Sequence, residues 1–201
     1  MKRTSSAQMQ LAGRDTEIQL YGTVVNRPLS LDHKVRSASV DGLNQILADT
    51  MTLRDMYKKH HWQASGPTFY QLHLLFDKHY GEQAELVDAL AERIQTLGGV
   101  AIAMAHDVAE TTRIARVPKG REDATIQLFR LMQAHELIIA EGRDAAHAAA
   151  ADGDDGTNDL LVSDVIRRNE LQVWFVSEQL AGAGLADKDE EATSSPVKAH
   201  A

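Results

Sequence analysis

From about Ser39 onward, apolar residues return every three or four positions in four long stretches, separated by glycine, proline and acidic breaks. In the first stretch Val40, Leu43, Ile46, Leu47, Met51, Leu53 and Met56 fall near a 3.6-residue period until Gly66-Pro67 interrupts, which predicts a helix over 39–64. Pro67 suits the first turn of the next helix. There Phe69, Leu72, Leu75, Phe76, Tyr80, Leu86, Leu90 and Ile94 run on to Gly98-Gly99, predicting a helix over 67–97. A third helix is predicted over 121–150, closed by the acidic turn Asp152-Gly153-Asp154-Asp155-Gly156. A fourth, over 157–182, carries Leu160, Leu161, Val165, Leu171, Trp174, Phe175 and Leu180 as its apolar positions.

The connections then set the architecture. Residues 98–120 form a long link ending in Pro118-Lys119-Gly120, with room for a short helix near 106–112, and such a link can run the length of a bundle. Short, long and short connections between four long helices give an all-α, ferritin-like four-helix bundle with its crossover between helices two and three. Residues 1–36 lack sustained periodicity and hold Gly13, Gly22 and Pro28, so they read as a flexible N-terminal arm. The bundle then occupies 37–182. Residues 183–201, with their Asp187-Lys188-Asp189-Glu190-Glu191 run and Ser194-Ser195-Pro196, read as a mobile C-terminal tail.

Four potential metal ligands on the second helix, His73, Asp77, Asp88 and Glu92, are spaced symmetrically about a point between Glu82 and Gln83. On a helix they lie within one arc of roughly 100°, yet His73 and Asp88 are about 22 Å apart along the axis, too far for one ion. A second copy of the helix, crossing antiparallel at the midpoint, would bring His73 to its partner's Glu92 and Asp77 to its partner's Asp88, making two composite sites about a twofold axis. Gly81 beside that crossing permits close approach. The competing reading of the four residues is a charged, solvated helix face.

Composition narrows the chemistry. The chain of 201 residues has no cysteine, which excludes disulfides and thiolate sites and leaves nitrogen and oxygen donors suited to iron, manganese or zinc. It has no Glu-x-x-His motif, the usual ligand source for a metal pair inside one bundle, and this favours the shared site. His61, twelve residues before His73, is the further contributor. No apolar run approaches the ~20 residues of a membrane helix, so a soluble, cytoplasmic protein is expected. The formal charge is −8, but residues 1–36 hold six bases against three acids, a net +3, leaving −11 on the remainder.

The run His61-Trp62-Gln63-Ala64-Ser65-Gly66-Pro67-Thr68-Phe69, followed by Leu72-His73, Phe76-Asp77 and Asp88-Ala89-Leu90-Ala91-Glu92-Arg93, resembles the signature of Dps proteins, the twelve-subunit mini-ferritins. The resemblance is close over the first two helices and looser beyond them. It implies a hollow homododecamer whose di-iron sites take His61, His73 and Asp77 from one subunit and Asp88 and Glu92 from its twofold mate. It implies a ferroxidase, an oxidoreductase acting on metal ions, in which two Fe2+ ions reduce hydrogen peroxide, or more slowly O2, and Fe3+ is stored as mineral. Trp62 is then a candidate electron donor, with packing at an interface as its alternative role. Lys58, one turn before His61, is a candidate to orient Asp77, with a solvated lysine as the alternative.

Other features carry weaker expectations. Asp152, Asp154, Asp155 and Asp159 are candidates for an iron entry pore, the alternative being a polar loop of turn formers. Lys2, Arg3 and Arg14 are candidates for non-specific DNA contact, which twelve weakly basic arms could strengthen by avidity and which would bring the particle to the nucleoid. The alternative is an arm packed on a neighbouring subunit. His79, His106, His135 and His147 have no acidic partners at a matching spacing and read as surface or satisfied core residues. The competing function is a structural protein that compacts DNA, its metal site weak or occupied by Zn2+.

Overall fold

The computed structural model describes residues 17–181. Its elements are α1 (His33–Gln63), α2 (Phe69–Leu97), α3 (Ala105–Thr111) and α4 (Ala124–Ala151), then a composite fourth long helix. That helix begins as α5 (Asp155–Asp159), continues through a π-helical stretch (Leu160–Ile166) and ends as α6 (Arg167–Glu178). The order matches the four-helix pattern with its long crossover, in which α3 is the short helix expected there. Leu43, Ile46, Leu47 and Leu53 of α1 share one core with Leu72, Phe76, Leu90 and Ile94 of α2, Leu131 and Ile138 of α4, and Leu161 and Val165 of the composite helix. Gly98, in the left-handed region at φ 93°, ends α2, and its amide bonds back to Gln95.

Two expectations change. The first helix starts at His33, inside the segment read as an arm, because Arg36 is a buried anchor: its guanidinium donates to the carbonyls of Val25 (2.7 Å) and Leu97 (3.0 Å). The chain before it is tied to the end of α2 as well. Val25 N–H (2.9 Å) and the Gln19 amide (3.0 Å) both donate to the Gly98 carbonyl, so residues 19–25 lie along their own bundle. Lys2, Arg3 and Arg14, and the tail 183–201, lie outside the described residues.

The second change is in the fourth helix, where Leu171, Trp174 and Phe175 were expected to face inward. All three are exposed on the single chain, and Asn169, Gln172 and Val176 are buried instead. Leu161, Val165, Asn169, Gln172 and Val176 follow one another at spacings of four, four, three and four, so one buried stripe runs on at helical spacing, and Leu171 and Trp174 lie off it. Gly142 of α4 meets the π-helical stretch, since a Cβ there would lie 3.1 Å from Ile166 Cγ1.

Asp154 joins three elements at one end of the bundle. It is fully buried, caps α5 by accepting from Thr157, accepts from the Ser39 hydroxyl of α1 at 2.7 Å, and pairs with Arg93 of α2. Burial pushes its carboxyl pKa up, but the Ser39 and Thr157 hydrogen bonds and the Arg93 charge outweigh that and hold it below the ordinary value. The stabilisation is therefore complete above the ordinary carboxylate pKa and is lost as pH falls through the depressed one. Asp154→Ala leaves Arg93 without its partner and is expected to cost about 3–5 kcal/mol. Asp152→Ala, at an exposed site, should stay within about 0.5 kcal/mol of wild type. Urea denaturation of the two variants checks the contrast.

Candidate metal centre

His61 near the end of α1 and His73 near the start of α2 are brought together by the tight turn at Gly66, whose φ of 93° suits glycine. Their rings stack with centroids 3.8 Å apart. His61 Nδ1 lies 2.8 Å from the His73 carbonyl and His73 Nδ1 lies 3.0 Å from the His61 carbonyl. A carbonyl only accepts, so each Nδ1 carries a proton, which leaves Nε2 as the nitrogen that can offer a lone pair when the ring is neutral. Fixing the tautomer through a backbone carbonyl is how proteins prepare imidazole for a metal. Neither Nε2 has a hydrogen-bond partner among the described residues.

Asp77, one turn after His73, stands 3.9 Å from His61 Nδ1. Lys58 donates to it at 2.6 Å, while the same ammonium sits 4.5 Å from the Tyr80 ring centroid. The Lys58 hydrogen bond outweighs the opposing desolvation, and with the charges of Lys58, His61 and His73 it draws the Asp77 carboxyl pKa below its ordinary value. Lys58 is thus the hydrogen-bond and ion-pair partner of Asp77.

Asp88 and Glu92 lie on the same unbroken α2, exposed and without side-chain hydrogen bonds or ion pairs among the described residues. The rise of the helix puts Asp88 about 22 Å from His73. Among the described residues, no cluster of three His, Asp or Glu side chains is arranged to hold an ion within one chain. The single chain therefore carries an imidazole-rich half and a carboxylate half. Around the first half Trp62, Phe69, Tyr70 and Leu74 are exposed, an apolar rim that a monomer has no reason to present. Between the halves, a Cβ on Gly81 would meet nothing within 4 Å, so the middle of this face is open.

The proposed pore set is not brought together. Asp154 belongs to the buried Arg93 anchor and is unavailable to ions, whereas Asp152, Asp155 and Asp159 are exposed and Asp159 accepts from Ser163.

A second polar cluster, inside the bundle, was not foreseen. Tyr57 hydroxyl lies 2.6 Å from His135 Nε2 and 3.1 Å from His79 Nδ1. His135 Nδ1 lies 2.7 Å from Asn169 Oδ1, and the Gln83 amide donates to both Asn169 (3.2 Å) and Gln172 (2.9 Å). All six side chains are fully buried. Burial lowers the pKa of His79 to about 4 and of His135 to about 3, so both are neutral near pH 7. His60 is likewise buried and its pKa lowered to about 4, with no partner on either ring nitrogen among the described residues. The signal available in the sequence was position: His79 and Gln83 continue the inward face of Leu72 and Phe76 at helical spacing.

A ferritin-like domain model matches residues 40–184. A solved structure of DpsC from Streptomyces coelicolor is 54% identical and superposes with a TM-score of 0.82, covering 85% of this chain and 99% of that one. A nutrient stress-induced DNA-binding protein of Nostoc sp. strain PCC 7120 is 31% identical over 171 residues, 85% of this chain and 92% of the relative. The Dps protein of Vibrio cholerae O1, described as a member of a broad superfamily of ferritin-like diiron-carboxylate proteins, is 26% identical with a TM-score of 0.73. The match covers 79% of this chain and 98% of that one.

Lys58→Met removes the donor that depresses Asp77. Its carboxyl pKa is expected to rise toward the ordinary aspartate value, so that Asp77 takes up a proton at a higher pH than in wild type; carboxyl carbon NMR of selectively labelled protein reads the shift.

Proposed function

This chain belongs to the Dps family of ferritin-like proteins, and we propose that it is a ferroxidase and iron-storage particle built as a hollow homododecamer. Each site takes His61, His73 and Asp77 from one subunit and Asp88 and Glu92 from its twofold mate. The observation that carries this reading is the pair of half sites on one straight helix, each chemically apt and each incomplete. Two imidazoles with free Nε2 atoms suit Fe2+, and three carboxylates favour the Fe3+ product. Iron here is substrate and cargo.

In the proposed reaction two Fe2+ ions in one site each give one electron to a single peroxide, whose O–O bond breaks: two Fe2+, one H2O2 and two protons give two Fe3+ and two waters. Delivering both electrons together avoids release of hydroxyl radical. O2 serves as a slower oxidant, and Fe3+ passes to the hollow of the shell to be held as mineral. Zn2+ fits the same donors but has no accessible redox change, so it would occupy the site without turnover. The acids near the middle of α2 are already engaged, Glu82 by Lys78 and Gln172 and Glu85 by Arg168.

Subunit mixing tests the shared site. His61→Ala and Asp88→Ala homo-oligomers are both expected to lose the rapid peroxide-driven oxidation of Fe2+ in stopped flow. In a mixed dimer the first variant supplies intact carboxylates and the second intact imidazoles, so one of its two sites is restored. Recovery of the fast phase on dissociating and reassembling the two together is the expected result. No recovery, with assembly intact by native mass measurement, defeats the shared-site reading.

The Nostoc relative's description as a DNA-binding protein supports a second role, non-specific DNA association through Lys2, Arg3 and Arg14. Deleting residues 1–16 should then reduce retardation of DNA in a gel-shift series, with wild-type binding falling steeply as salt rises. Unchanged retardation would assign any binding to the shell itself.

A further inference from the structure

The hydrogen-bond directions in the buried cluster are fixed by groups that have only one role. The Asn169 amide nitrogen donates to the Val165 carbonyl at 2.7 Å, which orients the amide and leaves Oδ1 as the acceptor for His135 Nδ1–H. Neutral His135 therefore offers a lone pair at Nε2, and the Tyr57 hydroxyl donates to it across 2.6 Å. His79 Nδ1–H in turn donates to the Tyr57 oxygen at 3.1 Å. The result is a buried phenol whose proton already points at an imidazole base and whose oxygen keeps a second donor after the proton has gone. Burial, with the charge of Glu82, raises the Tyr57 pKa well above its ordinary value, so the phenol does not ionise on its own. Tyr57 is one turn before His61 on α1, about 6 Å along the axis, and its ring centroid is 6.0 Å from that of Phe76, the residue before Asp77.

We propose that Tyr57 is an internal one-electron donor to the iron site, releasing its electron to peroxide while its proton crosses to His135 Nε2. The inference rests on the ferroxidase reading and concerns a site holding a single Fe2+, where peroxide lacks its second electron. The O–O bond breaks; Fe2+ is oxidised to Fe3+ and Tyr57 to a neutral tyrosyl radical. Its O–H proton forms the His135 imidazolium, and two protons from solvent complete two waters. A second Fe2+ then returns the electron to Tyr57, His135 returns the proton, and a second Fe3+ is produced. The device gives the site two-electron chemistry when only one iron is bound. Trp62 is the rival donor, beside His61 but exposed, and its indole N–H has no acceptor among the described residues.

The test is freeze-quench electron paramagnetic resonance on the full-length protein, loaded anaerobically with one Fe2+ per site and mixed with peroxide. A radical spectrum altered by ring-deuterated tyrosine is expected, lost in Tyr57→Phe and retained in Tyr70→Phe and Trp62→Phe. On the wild type, histidine labelled with nitrogen-15 should show nuclear couplings from the two hydrogen-bonded imidazoles, a measurement that stands whether or not the Tyr57 variant folds. A tryptophan-type spectrum, a tyrosyl signal unchanged in Tyr57→Phe, or a radical without histidine couplings overturns the proposal. Stopped-flow oxidation with two Fe2+ per site separates the failures. Rapid iron oxidation without a Tyr57 signal sinks this inference alone, and no iron oxidation by peroxide sinks the ferroxidase reading with it.

Discussion

A straight helix of 29 residues cannot fold its own ligands together. The α2 backbone is satisfied internally and is not broken between His73 and Glu92, so its imidazole and carboxylate ends keep about the separation set by 1.5 Å per residue. This rigidity turns a list of metal-binding side chains into a demand for a second molecule. It also accounts for the character of the face between them: an open Gly81, an apolar rim from Trp62 to Leu74, and two acids with no side-chain partner among the described residues. In an isolated monomer such a surface leaves apolar area in water and negative charge unopposed. Against a twofold copy, as proposed, the same residues would become an interface and two sites.

The interior of the bundle supplies the complementary half of that reasoning. Ferritin-like proteins that hold metal within one bundle line the space with Glu-x-x-His pairs. Here the corresponding space is filled by Tyr57, His79, His135, Gln83, Asn169 and Gln172, which are neutral. Glu82 touches the cluster only through Gln172. Amides and neutral imidazoles can satisfy one another at low dielectric, but without carboxylates they cannot balance the charge of ferric iron. The proposed iron chemistry is therefore placed on the outer face of α2, and the interior is left as a neutral, mutually satisfied network.

Much of this was legible in the residues because it depends on local periodicity. The 3.6-residue repeat located α1, α2 and α4 to within a few residues at most ends, and the symmetric spacing of His73, Asp77, Asp88 and Glu92 needed only the rise of a helix. What the pattern could not show were features fixed by tertiary contacts. Arg36 looks like an arm residue until the carbonyls of Val25 and Leu97 are seen around it. Asp154 looks like one acid among several in a turn until Arg93 and Ser39 close over it. The fourth helix misled because apolar character was taken for burial: Leu171, Trp174 and Phe175 lie off the stripe of Leu161, Val165 and Val176, whose inward positions at 169 and 172 are filled by amides.

The fourth helix links the fold to the buried cluster. Asn169 and Gln172 continue the inward stripe of Leu161 and Val165 at helical spacing, which carries two amides into the bundle. Asn169 then fixes the tautomer of His135, which fixes the direction of the Tyr57 hydroxyl, which leaves His79 to donate from the other side. Each step removes an alternative arrangement, so an amide on the fourth helix sets the proton geometry of a phenol on the first. Placing apolar residues at 169 and 172 would ease desolvation but leave His135 and Gln83 short of partners, at a cost of roughly 1–3 kcal/mol for each unsatisfied group. The polar interior is thus held in place as a unit, one turn away from the residues proposed to face iron.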